Sequence, residues 1–224
     1  MNDFMRTLLL AAFLLAACAR SIAGDDERVL FTENFEAKLD SGWSWLREAP
    51  GGWKIERNSL LIRTSEGGLW MKDNNNRNIL QRPAPVVKEG RLAIEVRVEN
   101  DPTGPYEHAG LLCYYDDDNY ALLCREKVGG KPIIQLVNEI EGKPKVGFAE
   151  RPWPDGVVWF RMEMSPGKVR GLFRARPEDA WQLLGECDLP AKGEARLSLT
   201  TGYAQAKEEH WSRFSNFRII HVAR

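Results

Sequence analysis

From Val29 onward the chain is built of short apolar segments whose hydrophobic positions alternate with polar ones, each segment bounded by Gly, Pro, Asn or Asp. Alternation of period two puts successive side chains on opposite faces of an extended strand, and no segment sustains the 3.6-residue period of a helix. The clearest run is Arg91-Leu-Ala-Ile-Glu-Val-Arg-Val-Glu99, where Leu92, Ile94, Val96 and Val98 share one face and Arg91, Glu95, Arg97 and Glu99 share the other. One face of this strand belongs to a core and the other to water. Val157 to Met164 repeats the arrangement, with Val158, Phe160, Met162 and Met164 set against Trp159, Arg161 and Glu163. Further runs at Phe31 to Phe35, Trp53 to Ile55, Leu60 to Arg63, Gly68 to Met71, Pro132 to Glu139, Lys145 to Ala149, Val169 to Arg176, Ala195 to Thr201 and Arg213 to Val222 predict an all-β domain. So many strands suit a two-sheet antiparallel sandwich and exceed a small immunoglobulin domain.

The segments His108 to Tyr115 and Tyr120 to Lys127 flank Asp116-Asp117-Asp118-Asn119, a polar cluster that predicts a hairpin turn. With all four residues in the loop, Tyr115 faces Tyr120, Cys113 faces Leu122 and Leu111 faces Cys124. That register places Leu111, Cys113, Tyr115, Tyr120, Leu122 and Cys124 on one face, and His108, Gly110, Leu112, Tyr114, Leu123 and Arg125 on the other. Cys113 and Cys124 are then diagonal, so two buried thiols acting as small hydrophobes are preferred to a disulfide, which needs a shifted register or a bulge. Glu141-Gly142-Lys143-Pro144 reads as a second hairpin turn.

The 224 residues carry a formal charge of -1 with both signs mixed throughout, which leaves no basic stripe for a phosphate backbone and argues against nucleic acid as a partner. The N-terminus has one basic residue, Arg6, before an apolar run from Leu8 to Ala17, shorter than the roughly 20 residues that span a bilayer. This pattern predicts an export signal over residues 1–23 and a single folded domain over 24–224, secreted or periplasmic. Two processing routes remain open. Leu15-Ala16-Ala17-Cys18 reads as a lipobox that would leave a lipid anchor on Cys18, and Ser21-Ile22-Ala23 reads as an ordinary cleavage site that would discard it. Cys113, Cys124 and Cys187 remain in either case, an odd set that permits at most one internal disulfide.

Several stretches together resemble a known family. Trp43-Ser-Trp45-Leu-Arg47-Glu48, Trp53-Lys-Ile55 and Leu60-Leu-Ile62, the hairpin His108-Ala-Gly-Leu-Leu-Cys-Tyr-Tyr-Asp-Asp-Asp-Asn-Tyr120, Ile79-Leu-Gln-Arg82 and Phe214-Ser-Asn-Phe217 are similar to concanavalin A-like domains at the C-termini of family 43 β-xylosidases and to related DUF1349 proteins. The resemblance covers essentially the whole mature chain. It implies a jelly-roll sandwich with one concave sheet, found both attached to glycosidases and alone, so the fold by itself leaves the function open.

If residues 91–99, 108–115, 120–127 and 157–164 share the concave sheet, its wet face gathers Glu95, Arg97, His108, Tyr114, Arg125, Trp159, Arg161 and Glu163. Aromatic rings beside paired charges stack a sugar and bond its hydroxyls, so a polysaccharide or oligosaccharide is the expected partner. The competing reading is a solvated sheet face laced with ion pairs. Gly110, opposite Arg125 in this register, leaves space for a ligand. Of the eight tryptophans, one or two are expected to face a ligand, with Trp43, Trp45, Trp53, Trp70, Trp153 and Trp211 all beside turns.

Catalysis has less support. Glycoside hydrolysis usually needs two carboxylates about 5 to 10 Å apart, and no Glu-x-Asp-x-x-Glu run is present. A catalytic alternative would use Glu95 and Glu163 with His108, and a third reading is a structural or adhesive envelope protein. No cofactor is implied. A structural Ca²⁺ on Asp116, Asp117, Asp118 and Asn119 competes with the reading of those residues as a solvated turn.

Overall fold

The computed structural model describes residues 26–146, 149–205 and 209–223. The predicted export signal, both candidate processing sites and Cys18 lie outside them. The described residues form sixteen strands in two antiparallel sheets. In the first, β14 (Gln182–Asp188), β13 (Lys168–Arg174), β12 (Val157–Ser165), β6 (Arg91–Glu99), β16 (Trp211–Val222), β4 (Leu60–Arg63) and β3 (Trp53–Ile55) follow in that order, with β1 (Glu27–Glu33) also paired to β16. In the second the order is β10 (Lys143–Lys145), β9 (Lys131–Ile140), β8 (Asn119–Val128), β7 (His108–Asp116), β15 (Arg196–Gly202), β5 (Ile79–Pro83) and β2 (Ser44–Leu46), with β11 (Glu150–Pro152) on β9. This is the two-sheet sandwich that the alternating segments predict.

The core lies between the sheets and follows the period-two pattern. Leu92, Ile94, Val96 and Val98 of β6 meet Phe160, Phe214, Phe217 and Ile219 of their own sheet and Leu111, Leu123, Leu136, Leu197 and Leu199 of the other. Each such side chain, moved from water to the interior, stabilises the fold by roughly 1.5 to 3 kcal/mol before its conformational entropy is counted.

The β7–β8 hairpin departs from the simple register. Asp116 pairs with Asn119, so the turn holds only Asp117 and Asp118, and a bulge at Tyr115 then sets Tyr114 against Tyr120. The Asp116 carboxylate makes this tight turn by accepting from Asp118 N (2.9 Å) and Asn119 Nδ2 (2.8 Å). A one-residue shift moves every side chain of the strand to the opposite face. On β8 the inward residues are therefore Ala121, Leu123 and Arg125, and the outward ones are Tyr120, Leu122, Cys124 and Glu126. The expected alternation holds on β7 and inverts on β8. Cys113 and Cys124 consequently lie on opposite faces of the sheet and are free, buried thiols.

Gly110 pairs with Cys124, not Arg125, and leaves no space for a ligand. A Cβ at this position would collide with the Leu123 carbonyl oxygen and lie 2.7 Å from Cys124 Cα. Because those atoms belong to the ladder itself, Gly110→Ala is expected to destabilise the fold by about 1 to 3 kcal/mol, read from the shift of the urea unfolding midpoint.

Candidate functional site

The eight residues grouped by the sequence do not share a face, because β6 and β12 belong to the first sheet while β7 and β8 belong to the second. Five of them, Glu95, Arg97, Trp159, Arg161 and Glu163, lie on the outer face of the first sheet. There Arg161 bonds Glu95 Oε1 at 2.7 Å, Glu163 Oε1 at 2.9 Å and Glu27 Oε1 at 2.6 Å. Glu95 also takes Arg218, and Glu163 takes Arg91 at 3.0 Å and Arg170 at 3.2 Å. Arg97 bonds Glu99 at 3.0 Å, and Trp159 stacks under the Arg174 guanidinium, which is shared with Trp181. The charges are spent on one another, and Glu95 and Glu163 are almost fully covered. Glu95, Glu163 and His108 are not brought together, since His108 stands on the other sheet.

Arg125, inverted by the bulge, points into one end of the sandwich. It is 1% exposed and donates to Asn100 O at 2.6 Å, which ties the β6–β7 connection to the core. Tyr114 does lie on the outer face of the second sheet, where its hydroxyl donates to Asp117 Oδ1 at 2.9 Å. Arg47 closes a fork on the same carboxylate at 2.8 and 2.9 Å. Asp116 and Asp117 of the acidic turn are thus already satisfied within the protein.

His108 is the member of the set that reaches a cleft. This cleft, of about 610 Å³, lies on the outer face of the second sheet. Its floor is made by three neighbouring strands: His108 opposite Glu126 on β7 and β8, Leu122 opposite Val137 of β9, and Tyr120 and Gln135 further along β8 and β9. One wall is the loop from Leu69 to Asp73, which carries Trp70, together with Tyr203; the rim is completed by Tyr106, Val146 and Glu150. The loop is anchored by Asn76, whose Nδ2 donates to Thr200 Oγ1 at 2.9 Å, and by Tyr203, whose hydroxyl donates to Asp73 Oδ2 at 2.7 Å. The Tyr203 ring rests directly on Gly68, where a Cβ would overlap it.

Two of the rim aromatics hold a backbone conformation that bulky residues avoid: Tyr106 has φ of 64° and Tyr203 has φ of 57°. Such strain persists where surrounding contacts enforce it, and it concentrates at ligand sites. For Tyr106 the enforcing bonds are Tyr106 N to Lys127 O at 2.8 Å and His108 Nδ1 to Tyr106 O at 3.0 Å. The ring is left 58% exposed, and Val146 nearby on the rim is 59% exposed, an apolar edge open to a partner.

The electrostatics of the floor are set by burial. Desolvation raises the Glu126 carboxyl to about 7, against the opposing hydrogen bond from Gln135. The same cause lowers the His108 imidazole to about 4. Since Nδ1 of His108 donates to a carbonyl, Nε2 of the neutral ring is an acceptor. At neutral pH the floor therefore offers a neutral imidazole and a carboxyl in transition between donor and acceptor. Among the described residues the charged groups that line the cleft are Asp73, Glu126 and Glu150, with no Lys or Arg beside them in the lining.

Of these residues only His108 and Trp70 stand out in the sequence. Glu126 and Gln135 need the shifted register to be placed, and Tyr106 and Tyr203 lie in connections with no periodic signal. Among the described residues no group of three or more His, Cys, Asp or Glu is disposed to hold a metal ion.

Solved structures share this architecture. A GH43 protein from Bacillus licheniformis superposes with a TM-score of 0.73 at 17% identity, covering 85% of this chain and 39% of that one. A xylan beta-1,4-xylosidase from Bacillus halodurans gives 0.70 at 18%, covering 84% of this chain and 38% of that one. A functionally unknown protein from Saccharomyces cerevisiae gives 0.63 at 15%, covering 80% of this chain and 96% of that one. This chain thus spans less than half the length of the two bacterial proteins. No curated protein matches it in sequence. The family model described as the beta xylosidase C-terminal concanavalin A-like domain matches residues 32–197, and the chain belongs to that family.

Proposed function

We propose that this protein binds a neutral glycan in the cleft on the outer face of its second sheet, and that it does so outside the cytoplasm without itself cleaving the sugar. The observation that carries the reading is the cleft's lining: aromatic rings of Trp70, Tyr106 and Tyr203 around a floor of neutral hydrogen-bonding groups. Aromatic faces cover the C–H surface of a sugar ring, and a few convergent polar groups fix its hydroxyls. Glu126, Gln135 and His108 supply those groups as donors and acceptors.

The sign of the charges narrows the ligand. With Asp73, Glu126 and Glu150 on the lining and no Lys or Arg among its described residues to oppose them, a uronate, sulfate or phosphate would meet repulsion there. Neutral sugars meet none. The family's association with beta xylosidases makes neutral xylo-oligosaccharides the first ligands to test. Export, by either processing route at the N-terminus, places the domain where such polymers occur.

Binding is measured by calorimetry with a panel of neutral and acidic oligosaccharides. Tyr106→Ala and Trp70→Ala are each expected to weaken binding of a neutral glycan by about tenfold, the loss of roughly 1.4 kcal/mol of stacking. The exposed Tyr106 substitution should leave stability within about 0.5 kcal/mol of the parent. Silence across all neutral glycans, or unchanged affinity in both variants, would overturn the reading.

Covering Glu126 with a neutral sugar removes more water from it, which favours the protonated form. Affinity should fall as the pH rises through about 7, and Glu126→Gln should abolish that inflection. Stability follows the same sign. The raised carboxyl favours the fold fully below its ordinary value near 4.5, and that contribution is lost as the pH rises through about 7. His108 acts in the opposite sense: its contribution is present above its ordinary value of 6.5 and is lost as the pH falls through about 4.

A further inference from the structure

We infer that the end of the cleft wall carries a Ca²⁺ site, formed by Asp118 at the tip of the β7–β8 hairpin, Glu139 of β9 and Asn74 of the wall loop. Glu139 is fully buried, and its two carboxylate oxygens are treated unequally. Oε2 accepts from Met71 N at 3.0 Å and from the Tyr120 hydroxyl at 3.1 Å. Oε1 is shut off from solvent and has no hydrogen-bond partner. An unsatisfied carboxylate oxygen in the interior is costly unless a charge or a proton meets it.

Its surroundings supply more oxygen. Glu139 Oε1 and Asp118 Oδ1 lie 4.0 and 3.6 Å from one point, the position a Cβ on Gly142 would take. Asn74 places its amide beside the same Asp118 Oδ1, with Nδ2 at 3.3 Å, and its own Oδ1 is a second buried atom without a partner. Two carboxylates therefore approach one point, and the Asn74 amide, whose Nδ2 here meets Asp118, would offer its unpartnered Oδ1 to an ion by turning over. The two carboxylates repel one another at this approach, and a bound cation would turn that repulsion into attraction. The neighbouring acids of the turn do not compete, since Asp117 is held by Arg47 and Asp116 by the turn itself.

Hard, all-oxygen ligands without His or Cys favour Ca²⁺ over transition metals, and waters would complete the six to eight oxygens it requires. Three protein ligands make a weak site of the extracellular type, with Kd about 10⁻⁴ to 10⁻³ M. Met71 and Asn74, which contact this cluster, are next in the chain to Trp70 and Asp73 of the cleft wall respectively. The ion would therefore hold the wall in place and strengthen sugar binding. That second effect rests on the glycan reading, whereas the ion site does not.

The test uses the full chain stripped with a chelator and titrated with Ca²⁺ in the absence of sugar, followed by calorimetry and by thermal unfolding. One saturable Ca²⁺ per chain is expected, with a rise in Tm on binding. Tb³⁺ in its place should show luminescence sensitised through Tyr120. Asp118→Asn at the exposed hairpin tip and the isosteric Glu139→Gln should each weaken Ca²⁺ at least tenfold while keeping the fold. No saturable uptake up to about 10 mM, ten times the weak end of such sites, overturns the inference. So does unchanged Ca²⁺ affinity in both variants. A sugar titration with and without Ca²⁺ is scored separately. Ion binding without any effect on sugar leaves the site standing and removes its link to the cleft.

Discussion

The pairing of Tyr114 with Tyr120, one residue out of step with the turn that joins their strands, sets what lies on either side of the second sheet. The two Asp116 bonds make the turn one that two residues can close, and the chain then has a residue too many before the turn, which leaves as the bulge at Tyr115. Everything on β8 follows from that count. Leu123 enters the core, Arg125 plugs the end of the sandwich, and Glu126 comes to stand beside His108 on the floor of the cleft. Without the bulge, Glu126 would be driven into the apolar interior, where an unpaired carboxylate is costly, so the core and the cleft enforce one register together.

The outer faces of the two sheets treat polar side chains in opposite ways. On the first, guanidiniums and carboxylates alternate so closely that each buried acid meets more than one base, and Arg161 alone bridges three glutamates. Such a network is costly to break but offers little to a ligand, because its hydrogen bonds are already made. In the cleft of the second, Asp73, Glu126 and Glu150 are gathered with no Lys or Arg among the described lining residues. Burial then shifts Glu126 up and His108 down until both can be neutral at the same pH. Neutral groups of mixed donor and acceptor character beside open aromatic rings are what a sugar hydroxyl requires, and the cost of gathering them is carried by the surrounding fold.

The cleft's walls, in contrast to its floor, are connections between strands and not strands themselves. Tyr106 and Tyr203 hold left-handed backbone, and Tyr203 is accommodated only because Gly68 has no side chain. In the bacterial proteins of this architecture the matching region is well under half of a longer chain, while in the yeast protein it is nearly all of it. Sheets are common to these settings, and loops are where one member of a family can differ from the next in what it binds.

The amino-acid sequence by itself determined the class of fold. Period-two alternation in β6 and β12 names the residues that enter the core, since the pleat of a strand decides which side chain faces which way without reference to any partner. The same logic placed His108 and Tyr114 on the outer face of β7, and the aromatic content beside turns already singled out Trp70. What alternation cannot say is which sheet a strand joins or where a register slips, because both depend on contacts between segments distant in the chain. Glu95 and His108 look alike in the sequence, as polar positions on neighbouring strand patterns, yet they end on different sheets. Arg125 and Glu126 exchanged faces through one bulged residue. Tyr106, Tyr203 and Gln135 joined the cleft through pairing and loop packing alone. Those placements belong to the tertiary structure, where burial of the core chooses among registers that the local pattern leaves equal.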